Sequence, residues 1–293
     1  MKFSTLLLSA TALMLSMSAM AQETPSADVN TSKGTYTNEF EATLQVAQSQ
    51  FDNWDGGENT FSGRATLRYR YLYQISKYKL DITASSRYGM NIIDGEAFKN
   101  EDEIALNLLT SWDIPNSNWA YAATFNFRSQ LSDGYTSRTD NTLLSRFMAP
   151  GYFDASVGFT YSKPETGFTL ILSPIAGSMT VVASDELSAQ GVYGVEAGEH
   201  TLLQYGASLD ARYEKKFAKD IFQYRSRLYA FTSYSDAPTM QWDNTLDIKP
   251  LDFLSISLLA KIYYDQKASV AKPKALQFNY GFSVGLAYLF KSK

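Results

Sequence analysis

The stretch "LQFNYGFSVGLAYLF", Leu276 to Phe290, has the pattern of a long two-faced β-strand. Every second residue from Leu276 onward is apolar or aromatic, and most residues between them are polar or small. Because the side chains of a strand alternate between its two faces, this pattern gives one apolar and one mainly polar face. A strand in a soluble sheet usually has about 5 to 6 residues, whereas a strand tilted across a bilayer needs about 9 to 11. The fifteen residues of this stretch therefore favour a membrane strand.

The first 21 residues have the pattern of a signal peptide. Lys2 is followed by a short apolar run, and Ala19 and Ala21 have the A-x-A spacing that precedes a cleavage site. We therefore expect export, with cleavage near Ala21. Removal of Lys2 takes the formal charge from −4 to −5, and this mildly acidic balance gives no support for a nucleic-acid partner.

Residues 22–38 are polar, contain Pro25 and Gly34, and predict a flexible periplasmic lead. The barrel is then expected over residues 39–293. The chain has no Cys, so neither disulfides nor a lipid anchor on Cys are expected. The mature chain has no apolar run of about 18 residues, which argues against a helical membrane protein. A β-barrel is compatible with this sequence, because the apolar and polar residues of a two-faced strand average out in a hydropathy profile.

The alternation of period two recurs in twelve segments of the mature chain. The joins from even to odd segments are short, and those from odd to even tend to be longer, with residues 132–150 and 178–202 the longest. This asymmetry is typical of outer-membrane barrels, which have short periplasmic turns and long extracellular loops. The sequence therefore predicts an all-β, transmembrane, antiparallel up-and-down β-barrel of about 12 strands, with both termini in the periplasm. The predicted segments cover residues 40–46, 64–73, 78–92, 101–113, 118–131, 151–162, 167–177, 203–215, 220–235, 239–248, 252–265 and 275–291.

A soluble β-sandwich is the alternative fold. Its strands are expected to be shorter and its apolar face richer in Ile, Val and Leu. In this chain the aromatic residues cluster near the ends of the segments, as in the girdles at the two lipid interfaces; Trp112, Trp119 and Tyr161 are examples. Strand length and aromatic placement both favour the barrel.

The last segment also predicts how the sheet closes. A sheet edge in lipid leaves backbone groups unpaired at several kcal/mol each, so the final strand is expected to pair with the first. Gly285, Tyr288 and Phe290 resemble the C-terminal assembly signal of outer-membrane barrels, although three residues follow Phe290. The resemblance implies the barrel-assembly machinery as a partner, and outer-membrane lipid as the surroundings.

Charged residues occupy positions that are expected to face the lumen. In one interpretation, acids and bases pair across neighbouring strands and fill a narrow lumen. In the other, an arginine-rich side lines a pore with a preference for anions. The candidate lumen-lining residues are Arg64, Arg68, Arg70, Asp81, Arg87, Arg128, Asp210, Arg212, Arg225 and Arg227.

Support for chemistry is thin. The single histidine, His200, lies in the long loop from Ser178 to Leu202, and no motif places a Ser or an acid beside it for Ser-His catalysis. The acids of this loop lack the spacing of an EF-hand or of a His/Cys metal site. We therefore expect no catalytic residue, no metal site and no cofactor.

The segment that joins the first two strands contains the element Asn53, Trp54, Asp55, Gly56, Gly57, Glu58 and Asn59. Its glycines suit an extracellular hairpin turn, because glycine tolerates positive φ. A recognition tip formed by Trp54, Glu58 and Asn59 is the alternative. With the Arg- and Tyr-rich strands and the terminal signal, this element resembles an uncharacterised family of bacterial outer-membrane β-barrels. The resemblance implies the envelope location and the barrel, and transfers no activity.

The sequence thus predicts a narrow, porin-like channel or uptake protein for small polar solutes in the outer membrane. A closed barrel that acts as an envelope scaffold or docks a partner is the main alternative, and an outer-membrane enzyme is a third. The pattern leaves the solute and the oligomeric state open.

Overall fold

Twelve long strands close into one antiparallel barrel in the computed structural model. The structure describes residues 34–49, 60–93, 95–136, 142–234, 238–251, 253–264 and 276–292. The barrel strands are β1 (Thr35–Ser49), β2 (Thr60–Ile75), β3 (Tyr78–Ile93), β4 (Glu96–Asp113), β5 (Trp119–Ser129), β8 (Gly151–Lys163), β9 (Phe168–Val181), β10 (Thr201–Phe217), β11 (Phe222–Thr232), β12 (Thr239–Leu251), β13 (Leu254–Tyr264) and β14 (Leu276–Ser292). Two short strands outside the barrel, β6 (Gly134–Tyr135) and β7 (Leu143–Ser145), pair with each other.

Each barrel strand pairs with its neighbours along the barrel sequence, and β14 pairs with β1 to complete the ring. The closing register places Phe290 opposite Phe40 and Tyr288 opposite Ala42. Closure leaves the barrel without an edge strand. The predicted antiparallel up-and-down barrel and its strand number are confirmed, as is the pairing of the last strand with the first.

Several predicted boundaries are wrong, among them the starts of β1 and β4. Strand β1 begins at Thr35 and pairs with the end of β2, so residues 35–38 belong to the barrel and not to the lead. Strand β4 begins at Glu96 and not at residue 101. A bulge in β4 causes this second error, because Gly89 is opposite Glu101 while Met90 is opposite Lys99. The extra residue interrupts the alternation that marks a strand in the sequence. The join between β3 and β4 is consequently short.

The two ends of the barrel differ in their connections. Short turns join β2 to β3, β4 to β5, β8 to β9, β10 to β11 and β12 to β13, and we call this the short-turn end. Gly34 and Ser292 lie at the same end, since Thr35 is opposite Gln74 and Asn38 is opposite Ser292. The connection from β5 to β8 and that from β9 to β10 lie at the opposite, long-loop end.

Large apolar side chains cover the outside of the barrel. On β14, Phe278, Tyr280 and Phe282 are 64%, 77% and 67% exposed. Aromatic pairs stand near the short-turn end, where Tyr78 contacts Trp112 and Trp119 contacts Tyr161. An exposed apolar band flanked by aromatic residues is the surface that a lipid bilayer solvates. Among the described residues, no helix is long and apolar enough to cross a membrane.

A small folded unit, which we call the loop cap, lies at the long-loop end and comprises residues 142–150 and 182–200. It contains helix α1 (Asp185–Ala189), which begins where the Ser184 side chain accepts a hydrogen bond from Leu187 N–H. Its apolar cluster consists of Leu143, Ala149, Val182, Leu187, Val192 and Val195. Most of the long loop from Ser178 to Leu202 therefore belongs to a packed unit.

Polar contacts fasten the loop cap to the neighbouring loop and join its own two segments. Arg146 pairs with Asp133, Nη2 to Oδ2 2.8 Å, and its guanidinium holds the pKa of this carboxyl below its usual range. The Tyr193 hydroxyl donates to Leu144 O, and burial raises the pKa of this phenol.

Candidate functional site

The inside of the barrel contains a cavity of about 470 Å³. Along each strand, the residues that line it lie between the middle of the barrel and the long-loop end, and Tyr193 and Gly194 of the loop cap contribute to its mouth. Its charged lining is balanced, with six basic and six acidic side chains. The basic ones are Arg64, Arg68, Arg87, Arg128, Arg225 and Arg227, and the acidic ones are Glu41, Glu101, Glu103, Asp154, Asp243 and Asp247.

All six basic residues of this lining were among the predicted lumen residues. The other four predicted residues, Arg70, Asp81, Asp210 and Arg212, lie closer to the short-turn end than the cavity-lining residues of their strands. They form ion pairs there and do not line the cavity. The predicted set therefore divides into a cavity group and a group beneath the cavity.

An ion-pair network around Glu41 lies at the inner end of the cavity. Lys249 Nζ lies 2.8 Å from Glu41 Oε1, and Arg225 Nη1 lies 3.5 Å from Glu41 Oε2. Arg225 also pairs with Asp247, whose other oxygen accepts a hydrogen bond from Ser257 Oγ at 2.6 Å. The strands involved are β1, β11, β12 and β13, so the network spans about a third of the wall.

A second network centres on Asp210, which is buried beneath the cavity. Its carboxylate pairs with Arg212 at 2.7 Å and with Arg227 at 2.8 Å. Arg227 Nη1 also donates across the lumen to Asn107 Oδ1 at 3.4 Å. One carboxylate thus compensates two guanidinium groups, and the second of these reaches the opposite wall.

Beside them, Arg70 is bound mainly to its neighbour on β3. Its Nη2 lies 2.7 Å from Asp81 Oδ2, and its Nη1 lies 3.8 Å from Glu214 Oε2 on β10. Together with the Asp210 network, this pair lies in the lumen on the short-turn side of the cavity. The pairing of acids and bases that the first interpretation predicts is therefore present among these residues.

The wall of the cavity itself is built from further pairs. Arg64 Nε lies 2.6 Å from Glu101 Oε2, and Arg87 pairs with Glu103. Arg128 donates across the lumen to Gln241 Oε1 at 2.9 Å and lies 4.8 Å above the Tyr152 ring. Arg68 differs from these: within the described part of the chain it makes no hydrogen bond or ion pair.

The prediction did not include several acids of the site. Glu41 alternates with Phe40 and Ala42 in β1, and this alternation indicates an inward position. Glu101 and Glu103 lie in the predicted segment 101–113, just after the bulge of β4. Lys249 lies in a predicted turn, although β12 continues to Leu251.

The remaining predicted residues lie away from the cavity or outside the described structure. The hairpin element from Asn53 to Asn59 falls outside the described residues. Gly285 lies against β1, where a Cβ would be 2.6 Å from Gln45 Cα and closer still to Leu44 O. Tyr288 and Phe290 lie in the part of β14 that pairs with β1.

His200 has a structural environment at the edge of the loop cap. Its Nδ1 lies 2.7 Å from Val182 O, and its Nε2 lies 3.5 Å from the exposed carboxylate of Asp185. The described residues place no serine hydroxyl in hydrogen-bond contact with this ring. Within the same part of the chain, no three potential ligands come together as a metal site.

Part of the chain matches the model of a known protein family. Residues 46–135 match the model of a family described as "Protein of unknown function (DUF3078)", and this range includes the hairpin element from Asn53 to Asn59. The likeness to an uncharacterised family that the sequence suggested is thereby confirmed for these residues. No curated protein matches the chain.

Solved structures that share the architecture are outer-membrane barrels. They include the COG4313 outer membrane channel from Pseudomonas putida F1, with 13% identity over 92% of this chain and 100% of that chain and a TM-score of 0.40. The translocator domain of the autotransporter NalP from Neisseria meningitidis has 9% identity over 96% and 94%, with a TM-score of 0.37. OmpF of Salmonella typhi in complex with daunomycin has 9% identity over 88% and 98%, with a TM-score of 0.27. At these scores they carry no argument about function.

Proposed function

We propose that the protein is a narrow outer-membrane channel for small polar solutes. The observation that carries this proposal is the polar, charge-balanced cavity of about 470 Å³ inside a barrel whose outer surface is apolar. A cavity of this size accommodates a small molecule. The solute enters from the long-loop end, which faces the outside of the cell, and the periplasm lies at the short-turn end, where both ends of the barrel chain are found.

Passage requires the inner end of the cavity to open. The ion pairs of Glu41 with Lys249 and Arg225 stand in the path, and the pairs around Asp210 lie beyond them. During passage, the charged side chains that line the pore exchange their ion-pair partners for the solute. This favours a narrow, selective route over a wide, water-filled one. The signal peptide directs the chain to the envelope, where the barrel-assembly machinery inserts it. Catalysis is not part of this function.

Cysteine substitution tests the route, because the natural chain contains no Cys. Thr66 lines the cavity, and its neighbour Leu67 is 40% exposed on the outer face of the same strand. In proteoliposomes, we expect a charged, water-soluble thiol reagent to modify Thr66→Cys and to slow solute-driven swelling. Leu67→Cys, shielded by lipid, is the matched control and is expected to react little. Equal swelling before and after complete modification of Thr66→Cys contradicts the channel.

A closed scaffold barrel is the second candidate, and the ion pairs on the short-turn side together with the folded loop cap favour it. In that case the loop cap docks a partner and no solute crosses. A folded barrel that is inserted in liposomes and produces no swelling with any small solute supports this candidate and contradicts the channel.

A further inference from the structure

One guanidinium of the cavity differs from the other five. Arg64, Arg87, Arg225 and Arg227 form ion pairs, and Arg128 donates to Gln241. Arg68 lines the same cavity and has no hydrogen-bond or ion-pair partner among the described residues. Taking a charge out of bulk water without a partner is costly, so an uncompensated arginine inside a barrel calls for a ligand.

The acids nearest to Arg68 are engaged by other bases. The charged groups that act on it are Arg225, Glu214, Arg70 and Glu41. Glu41 is held by Lys249 and Arg225, and Glu214 accepts from Gln223 Nε2 at 2.8 Å and lies near Arg70. Positive charge at Arg68 is therefore in local excess, although the cavity as a whole is balanced.

The surroundings of Arg68 supply further donors. In the sheet it is opposite Glu41 of β1 and Ser85 of β3, and the side chains of Ser85 and Thr66 line the same cavity. A guanidinium presents a planar fork of N–H donors that fits two oxygens of a carboxylate or phosphate at once. Neighbouring hydroxyl groups can satisfy the remaining oxygens.

We propose that Arg68 is an oxyanion-binding subsite at the inner end of the cavity, which takes the carboxylate or phosphate group of a small polar solute. The inference rests on the proposed function for the route by which the solute arrives. It names the class of solute. The sequence predicts an anion preference set by the inward arginines as a group, and the inference assigns this role to Arg68.

The test measures anion binding to the refolded full-length barrel in detergent by calorimetry, with acetate, inorganic phosphate and chloride at equal ionic strength. We expect acetate or phosphate to bind more tightly than chloride, which cannot use the fork. The ratio of acetate to phosphate affinity shows which oxyanion the subsite takes. Arg68→Gln is expected to weaken binding by about ten- to hundred-fold, the range for a hydrogen bond to a charged group.

Two further variants test whether the effect belongs to the guanidinium of Arg68. Arg68→Lys retains the charge and loses the fork, so we expect binding between that of the natural protein and that of Arg68→Gln. Arg212→Gln removes the same charge from β10 beneath the cavity, where Asp210 keeps Arg227 as a partner, and is expected to leave oxyanion binding within about twofold. Heat-modifiable mobility on gels confirms that each variant folds. Equal binding of all three anions, or equal losses in Arg68→Gln and Arg212→Gln, overturns the subsite.

Conductance in the same preparations separates this inference from the proposed function. Arg68-dependent binding in a barrel that never conducts contradicts the channel and supports the subsite. A conducting barrel in which Arg68→Gln changes neither oxyanion binding nor the reversal potential in a salt gradient supports the channel and overturns the subsite.

Discussion

At the scale of single residues, two acids of the barrel interior each pair with two bases. Asp210 compensates both Arg212 and Arg227, and Glu41 compensates both Lys249 and Arg225. Arg225 keeps Asp247 as a partner when Glu41 is lost, whereas Arg212 and Arg227 form ion pairs only with Asp210 among the described residues. Loss of Arg212 therefore leaves Asp210 paired, whereas loss of Asp210 leaves two guanidinium groups without an acid.

Asp210→Asn is expected to destabilise the barrel by about 3–5 kcal/mol, the cost of leaving buried charges without their partner. Denaturant unfolding of the refolded protein, followed by gel mobility or tryptophan fluorescence, measures the change. Asp133→Asn is the control, because Asp133 also has an arginine partner but is solvent-exposed in a loop. It is expected to unfold at the same denaturant concentration as the natural protein. Equal stability of Asp210→Asn and the natural protein contradicts a structural role for this network.

The inward direction of these residues was predictable, and their partners were not. Alternation alone placed Arg225 and Arg227 in the lumen. The pairs of Lys249 with Glu41 and of Arg227 with Asn107 join residues that are 208 and 120 positions apart. Which side chains meet across a barrel depends on the stagger of all the strands between them, and the sequence pattern does not specify this stagger.

At the scale of elements, β14 combines an open stretch with a tight one on its inner face. A Cβ at Gly281 meets no atom within 4 Å, whereas a Cβ at Gly285 lies against the backbone of β1. The tight position belongs to the predicted assembly signal. Its glycine has a physical reason in this structure, which is the close approach of the first strand.

Gly285→Ala is expected to lower the yield of folded barrel, with a penalty of about 1–3 kcal/mol for forcing an extra group into a packed site. Gly281→Ala is the matched control on the same strand and face, and we expect it to fold like the natural protein. The measurement is the fraction of heat-modifiable protein after refolding into lipid. If both variants refold equally well, the closing contact is less tight than described.

Bulges explain where the strand prediction failed and where it succeeded. In β9, Pro174 and Ile175 lie between the paired residues Ser173 and Ala176, whereas in β10 only Ala207 lies between their partners Ser208 and Gly206. This bulge lies inside a segment with strong alternation on both sides, so the strand was still recognised. The bulge of β4 lies near the start of its strand, where too few residues precede it to establish a pattern.

At the scale of the whole molecule, a membrane channel requires the apolar face of the wall to meet lipid and the polar face to meet water. The apolar face of β14 is the outer face, and the alternate residues face the lumen. Strand count, closure and facing followed from the sequence because period-two patterning over long segments specifies all three. The packed loop cap did not, since its contacts join two loops that lack any repeating pattern.

Arginine substitutions on adjacent residues test the two faces. Phe282→Arg places a charge on the outer face and is expected to reduce insertion by about 2–4 kcal/mol. Gly281→Arg places the same charge on the inner face in open space and is expected to insert normally. Equilibrium folding into liposomes of defined composition measures both. Normal insertion of Phe282→Arg together with failure of Gly281→Arg contradicts the assignment of the faces.

Single-channel currents of the refolded protein, residues 22–293, in a planar bilayer test the claim that the barrel is a narrow channel. We expect discrete steps of small conductance that decrease after thiol modification of Thr66→Cys and are unchanged for Leu67→Cys. A correctly folded and inserted barrel that remains electrically silent at all voltages and salts contradicts the claim.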